Sequence, residues 1–248
     1  MAKIISFLNH KGGVGKTTSA ANIGAGLNLL GYRILLVDLD AQANLTLHLY
    51  GDCEEEKTIY GALKSDYPLT IYNIKKDLDI VVSTLDLSAA ELELKSEPGR
   101  EYLLKELLQS YLDDYDYILI DCPPSLGLLS VNALSTSDYI IIPVECSAFS
   151  LKGMIKLFDI IEKVKYRLNK KLKSYKILIT KYDVRKSIHK QIAEEIKKQK
   201  EVFKTIVRTN VTLEESTIEQ KSVYEINNKS YGSIDYMSIC NEIINELK

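Results

Sequence analysis

The nine residues HKGGVGKTT, His10 to Thr18, follow directly on the apolar run Ile4–Leu8. A strand that feeds a glycine-rich turn and then a Lys-Thr pair opening a helix is the arrangement of a phosphate-binding loop. Gly12, Gly13 and Gly15 can take backbone angles closed to other residues, which lets successive N–H groups converge on one anion. The stretch Gly12, Gly13, Val14, Gly15, Lys16, Thr17 and Thr18 is therefore the candidate nucleotide cradle. The helix that follows, through Ala20, Ala21 and Ile23 toward Leu30, aims its positive end at the same anion. Lys16 is placed to neutralise the β- and γ-phosphates and Thr17 to offer its hydroxyl to Mg²⁺. Two features depart from the usual loop: His10 stands where its first glycine is expected, and a second lysine, Lys11, follows.

The rest of the chain repeats the strand and helix alternation. Short apolar runs recur at Ile4–Leu8, Ile34–Val37, Ile80–Val82, Tyr117–Ile120, Tyr139–Ile142 and Lys176–Ile179. They are rich in Ile, Val and Tyr and lack strict alternation, as strands covered on both faces do. Between them lie helical spacings: Leu151, Met154, Ile155, Phe158, Ile161, Val164 and Leu168 form one apolar stripe, and Ile188, Ile192 and Ile196 another. This pattern predicts an α/β fold of the P-loop NTPase kind, a mostly parallel twisted sheet with helices on both faces. With no internal repeat or low-complexity linker, residues 1–248 are expected to form a single domain. The least regular segment, Gly51–Asp79, is expected to be a surface excursion.

Composition excludes several classes. No signal peptide opens the chain, and no apolar stretch reaches the ~18 residues of a spanning helix, so a cytoplasmic protein is expected. Cys53, Cys122, Cys146 and Cys240 are far apart and form no CxxC pair, which argues against a zinc site or a disulfide framework. Net charge is close to neutral but unevenly spread. Leu151 to Arg208 holds 18 Lys and Arg against 6 Asp and Glu, and the remainder holds 14 against 28. Such asymmetry points to a polyanionic partner.

A further carboxylate lies in YDYILIDCPPSLG, Tyr115–Gly127. Asp121 ends an apolar strand there, as a Walker B carboxylate that holds Mg²⁺ through water does, and Pro123 and Pro124 then stop the strand.

KGGVGKTT resembles the deviant Walker A motif, KGGxxGK[ST], of the ParA/MinD class of ATPases. The resemblance implies that Lys11 reaches the phosphates of the nucleotide held by the facing subunit of an ATP-sandwich homodimer. LLVDLDAQAN, Leu35–Asn44, resembles the second motif of the class. It implies that Asp38 sits near the metal and phosphates and that Asp40 orients or activates the attacking water, so that Lys11, Lys16 and Asp40 are the catalytic set. That equipment is adequate, because phosphoryl transfer asks little covalent chemistry of the protein. YIIIPVECSAFSLKG also resembles the stretch beyond Walker B, and together these motifs span Met1 to about Gly153.

In motif wording and size the chain is most similar to the partitioning ATPases ParA and Soj. Membership implies ATP and Mg²⁺ as cofactors, slow hydrolysis stimulated by a ParB-like centromere-binding partner, and non-specific DNA binding by the ATP-bound dimer on the nucleoid. Beyond Leu151 the resemblance weakens: the Pro-Arg-Asn-like turn near the adenine is VRTN here, which leaves Asn210 as the base contact and shifts the arginine to Arg208. The basic residues expected to meet DNA are Arg185, Lys186, Lys190, Lys197, Lys198, Lys200, Lys204 and Arg208, around the helix that carries Ile188, Ile192 and Ile196 inward. Such binding is driven by counterion release and is salt-sensitive.

Two other roles share the ATPase motifs. A MinD-like regulator would end in a basic amphipathic membrane helix, whereas SICNEIINELK is mostly acidic or amide at its polar positions, so no membrane partner is expected. A cargo-positioning ATPase would use the same cycle for another load, and the sequence does not separate it from partitioning. An iron-protein type would need paired cluster cysteines, and a tyrosine kinase a terminal tyrosine cluster; neither is present. The chain starts at its first strand without a helix-turn-helix extension, which argues against operator binding.

Overall fold

The computed structural model describes residues 1–52, 57–147 and 150–247. Strands are β1 (Lys3–Phe7), β2 (Ile34–Asp38), β3 (Tyr72–Lys75), β4 (Leu78–Val81), β5 (Tyr117–Asp121), β6 (Tyr139–Glu145) and β7 (Ser174–Thr180). Helices are α1 (Lys16–Leu29), α2 (Asn44–Leu49), α3 (Ile59–Leu63), α4 (Ala90–Glu93), α5 (Leu103–Leu108), α6 (Leu128–Thr136), α7 (Ser150–Arg167), α8 (Ser187–Gln199), α9 (Val211–Ile218), α10 (Val223–Asn227) and α11 (Tyr231–Glu246). The seven strands form one sheet in the order β3-β4-β2-β5-β1-β6-β7. All neighbours are parallel except β3 and β4. The expected α/β architecture is the one observed.

Both faces of the sheet are covered, which is why its strands show no polar alternation. Within β5, Ile118 and Ile120 join the core under α3, α5, α6, α7 and α8, while Leu119 between them joins the core under α1 and α11. The second core is tight: a β-carbon on Gly24 of α1 would lie 2.7 Å from Leu36 Cδ2 of β2. Helix α1 is buried at ten of its fourteen positions, and α11 lies against it with Tyr236, Ile239, Cys240 and Ile243 inward. The apolar face of α11 is thus occupied by the core. No helix among the described residues is long and apolar enough to cross a membrane.

Three local expectations need correction. Gly51–Asp79 is not a bare excursion: α3 buries Ile59, Ala62 and Leu63, and β3 adds an antiparallel edge whose four residues are too short and too polar to signal a strand. In α7 the buried stripe runs through Met154, Leu157, Ile161 and Val164, and Ile155 is 61% exposed. Ile188, at the first turn of α8, is 52% exposed, while Ile196 is buried.

Candidate nucleotide-binding site

The carboxyl ends of β1, β2, β5 and β7 converge on the glycine-rich loop. Gly13 and Gly15 take left-handed φ values of 72° and 88°, which only glycine adopts without strain. Two side chains, through three hydrogen bonds, fix the loop from outside. Thr180 Oγ1, at the end of β7, donates to the Val14 carbonyl at 2.7 Å. Asn9 Nδ2 donates to the Pro143 carbonyl at 2.7 Å, and Asn9 Oδ1 accepts the Lys11 N–H at 3.0 Å. The Val14 side chain is buried, so its contribution to the cradle is its backbone.

Lys16 is 7% exposed and its Nζ lies 3.5 Å from the Lys11 carbonyl, folded back toward the loop. Thr17 Oγ1 donates to Asp121 Oδ2 at 2.6 Å. Asp121 Oδ1 is buried with no hydrogen-bond partner. Asp38 pairs in register with Asp121 on the adjacent strand. It is fully buried and accepts the Thr46 N–H and hydroxyl, both at 2.8 Å, and the Asp40 N–H at 3.2 Å. Burial, with Asp40 nearby, pushes the Asp38 carboxyl up to about 6. Burial and the neighbouring Asp38 hold Asp121 well above the usual carboxylate range. Two buried acids side by side cannot both ionise cheaply without a cation.

Mg²⁺ fits this arrangement. The orphaned Asp121 oxygen and the Thr17 hydroxyl are hard oxygen donors at the foot of the phosphate cradle, and Mg²⁺ takes few protein ligands when phosphates and water complete its shell. Among the described residues no group of three or more His, Cys, Asp or Glu could hold a metal by itself.

Asp40 is set differently from Asp38. It lines the cavity, its Oδ1 accepts the Gln42 N–H at 3.0 Å and its carbonyl accepts Ser83 Oγ at 2.8 Å. That cavity, about 320 Å³, is lined by Gly12, Gly13, Gly15, Lys16, Thr17, Thr18, Asp40 and their neighbours. Asp38 does not line it and lies behind it, hydrogen-bonded to Thr46 and to the backbone of Asp40. Lys11 Nζ lies 3.3 Å from Glu145 Oε2 and 3.4 Å from Ser147 Oγ, on the exposed rim. His10 Nδ1 is buried without a partner.

A second cavity, of about 580 Å³, adjoins the first on the β7 side. Asn210 lines it, accepts the Thr212 N–H at 2.9 Å as the cap of α9, and keeps its amide NH₂ unpaired among the described residues. Arg208 lines it too, with its guanidinium on Asp235 at 3.0 and 2.6 Å and over the Tyr231 ring at 3.9 Å. It is therefore tied to Asp235 at the wall of this cavity. Lys186 lines the same cavity, and Arg185 is paired with Asp183 at 2.9 Å. Lys200 lies over the Phe158 ring at 4.1 Å and reaches Tyr175 Oη at 3.1 Å. Lys190, Lys197, Lys198 and Lys204 are exposed, with Lys198 3.8 Å from Glu195.

Sequence reasoning gave no role to Thr46, Thr180, Glu145 and Lys181, because no motif spacing singles them out. Glu145, Thr180 and Lys181 end or follow β6 and β7, and strand ends at this edge of a parallel sheet are where such residues collect, while Thr46 lies in the first turn of α2.

A family model described as an AAA domain matches residues 2–174. Over 98% of its length the chain is 40% identical to the sporulation initiation inhibitor protein Soj of Bacillus subtilis, covering 98% of that protein. It is also 40% identical to the chromosome partitioning protein ParA of Myxococcus xanthus, covering 98% of this chain and 88% of that one. Among solved structures, cobyrinic acid a,c-diamide synthase from Mycobacterium smegmatis with bound ATP analog and magnesium superposes with a TM-score of 0.87 at 30% identity, over 100% of this chain and 96% of that one. A putative plasmid partition protein from Borrelia burgdorferi bound to AMPPNP gives 0.79 at 29% identity, over 100% and 99%. With a glycine-rich loop, a Thr17–Asp121 contact beneath it and relatives of this closeness along nearly its whole length, the chain belongs to the ParA/Soj family of partitioning ATPases.

Proposed function

We propose that this chain binds ATP with Mg²⁺, hydrolyses it slowly, and uses the ATP-bound state to form a homodimer that holds DNA without sequence preference, with a ParB-like partner stimulating release. The observation that carries the reading is the Thr17–Asp121 contact beneath the glycine-rich loop, beside an Asp121 oxygen with no partner. Bound Mg²⁺ supplies positive charge to the β- and γ-phosphates. Loop N–H groups and Lys16 hold those phosphates, and Asp40, fixed through Gln42 and Ser83, orients water on the open side of the cavity. Lys11, on the rim, reaches the nucleotide of a facing subunit once it leaves Glu145. Asn210 meets the base with its unpaired amide.

The exposed lysines of α8 and its flanks, Lys190, Lys197, Lys198 and Lys204, with Arg185 and Lys186, form the DNA-facing group. Arg208, committed to Asp235, serves the nucleotide cleft. The protein works in the cytoplasm on the nucleoid. Co-sedimentation with DNA and with liposomes, run in parallel with ATP and ADP, tests this. Retention on DNA that needs ATP and falls steeply with salt is expected. Equal retention with ADP, or liposome binding in its place, contradicts it.

A further inference from the structure

Gly15, Thr18, Lys181 and Thr217 line both cavities and so form the neck between them. A nucleotide with its outer phosphates in the smaller cavity and its base in the larger must pass its α-phosphate and ribose through that neck. Gly15 and Thr18 make one wall, from the loop and the first turn of α1. Lys181, the first residue after β7, stands on the other side.

Its backbone is left-handed, with φ 51°, a conformation that a β-carbon disfavours and that lysine seldom adopts. The flanking residues impose it. Thr180 Oγ1 is bound to the Val14 carbonyl at 2.7 Å, the Tyr182 N–H donates to the Val207 carbonyl at 3.1 Å, and the Thr209 N–H donates to the Tyr182 carbonyl at 3.0 Å. The chain therefore leaves β7 at a fixed point against the loop, with an exposed lysine at the turn. Three cationic neighbours at the cleft are paired, Lys11 with Glu145, Arg185 with Asp183 and Arg208 with Asp235, whereas Lys186 lines only the larger cavity and not the neck. Among the described residues no carboxylate pairs with Lys181.

We propose that Lys181 is a further phosphate-binding lysine of this site, which holds the α-phosphate. The proposal rests on the nucleotide reading above. Because the α-phosphate is common to ATP and ADP, Lys181 differs from Lys16, which serves the outer phosphates, in strengthening both nucleotides equally.

Titration calorimetry of the whole chain with Mg·ADP and with Mg·AMPPNP tests it, on the parent and on Lys181→Met, Lys181→Arg and Lys181→Gly. Loss of one partly exposed, charge-assisted contact should weaken both nucleotides by about tenfold in Lys181→Met. Lys181→Arg should keep most of the affinity. Lys181→Gly separates charge from backbone: it accepts the left-handed turn freely, so its melting temperature should rise while its affinity falls as far as that of the methionine variant. Full affinity in Lys181→Met or Lys181→Gly overturns the proposal, as does a loss confined to Mg·AMPPNP. A parent chain that binds neither nucleotide overturns the nucleotide reading itself, whereas normal parent binding with unchanged variants overturns only the role of Lys181.

Discussion

Thr17 Oγ1 donates a 2.6 Å hydrogen bond to Asp121 Oδ2 and so ties the first turn of α1 to the end of β5. The same carboxylate leaves its other oxygen buried and unpartnered, next to Asp38 in register on β2. Buried side by side, the two acids are a cost to the fold, which a bound cation would offset.

That cost has a pH signature. The folded carboxyl of Asp38 sits at about 6 and that of Asp121 above its usual range, both higher than in the unfolded chain. For Asp38 the folded state therefore holds more protons than the unfolded one between about pH 4 and about pH 6, Asp121 acts in the same direction, and stability contributed by the pair falls as pH rises. Asp121→Asn removes one of the two acids and can keep the contact to Thr17. The ligand-free variant should be more stable than the parent by about 1–3 kcal/mol at pH 8, with the gap closing toward pH 5. It should also lose the stabilisation the parent gains from Mg·ATP. Thermal melts across pH check both, and a gap that does not change with pH contradicts the account.

Asp40 faces the cavity and Asp38 lies behind it, so their alanine variants should differ in kind. Asp40→Ala should bind ATP with little change and hydrolyse it at least tenfold more slowly, as loss of one water-orienting group does. Asp38→Ala should lower melting temperature as well, because Thr46 and the Asp40 N–H lose their buried acceptor. Turnover by Asp40→Ala at the parent rate removes that residue from its role.

The loop's anchorage predicts a third result. Thr180→Val keeps the shape of a side chain only 2% exposed but removes the donor to the Val14 carbonyl. It should cost about 1–2 kcal/mol in stability by denaturant titration. It should weaken nucleotide binding as well, because the loop loses an outer tie; unchanged affinity would show that the glycines hold the cradle alone.

Much of this was legible in the sequence. The loop could be read because phosphate binding needs glycines and a lysine at fixed spacing, and β5 because a strand covered on both faces is apolar throughout. Asp121 follows from its place at that strand's end. Other features depend on what the fold brings near. Asp38 and Asp40 are two residues apart, yet only the sheet register puts Asp38 beside Asp121 and leaves Asp40 at the cavity. Arg208 reads as one more basic residue until Asp235, 27 positions later, is found to hold it. Ile155 and Ile188 fit a helical stripe by spacing, yet both side chains are exposed.

Lys11 carries the central claim, that the loop is a switch for dimerisation as well as a binding site. In the single chain its amine rests on Glu145 at 3.3 Å, a partly exposed pair that costs little to open. The most direct measurement is sedimentation velocity of the parent and of Lys11→Ala with Mg·ATP and with Mg·ADP, alongside nucleotide binding by each. The account predicts a parent that dimerises with ATP and stays monomeric with ADP, and a Lys11→Ala chain that binds ATP yet remains monomeric. An ATP-dependent Lys11→Ala dimer of parental affinity would contradict it.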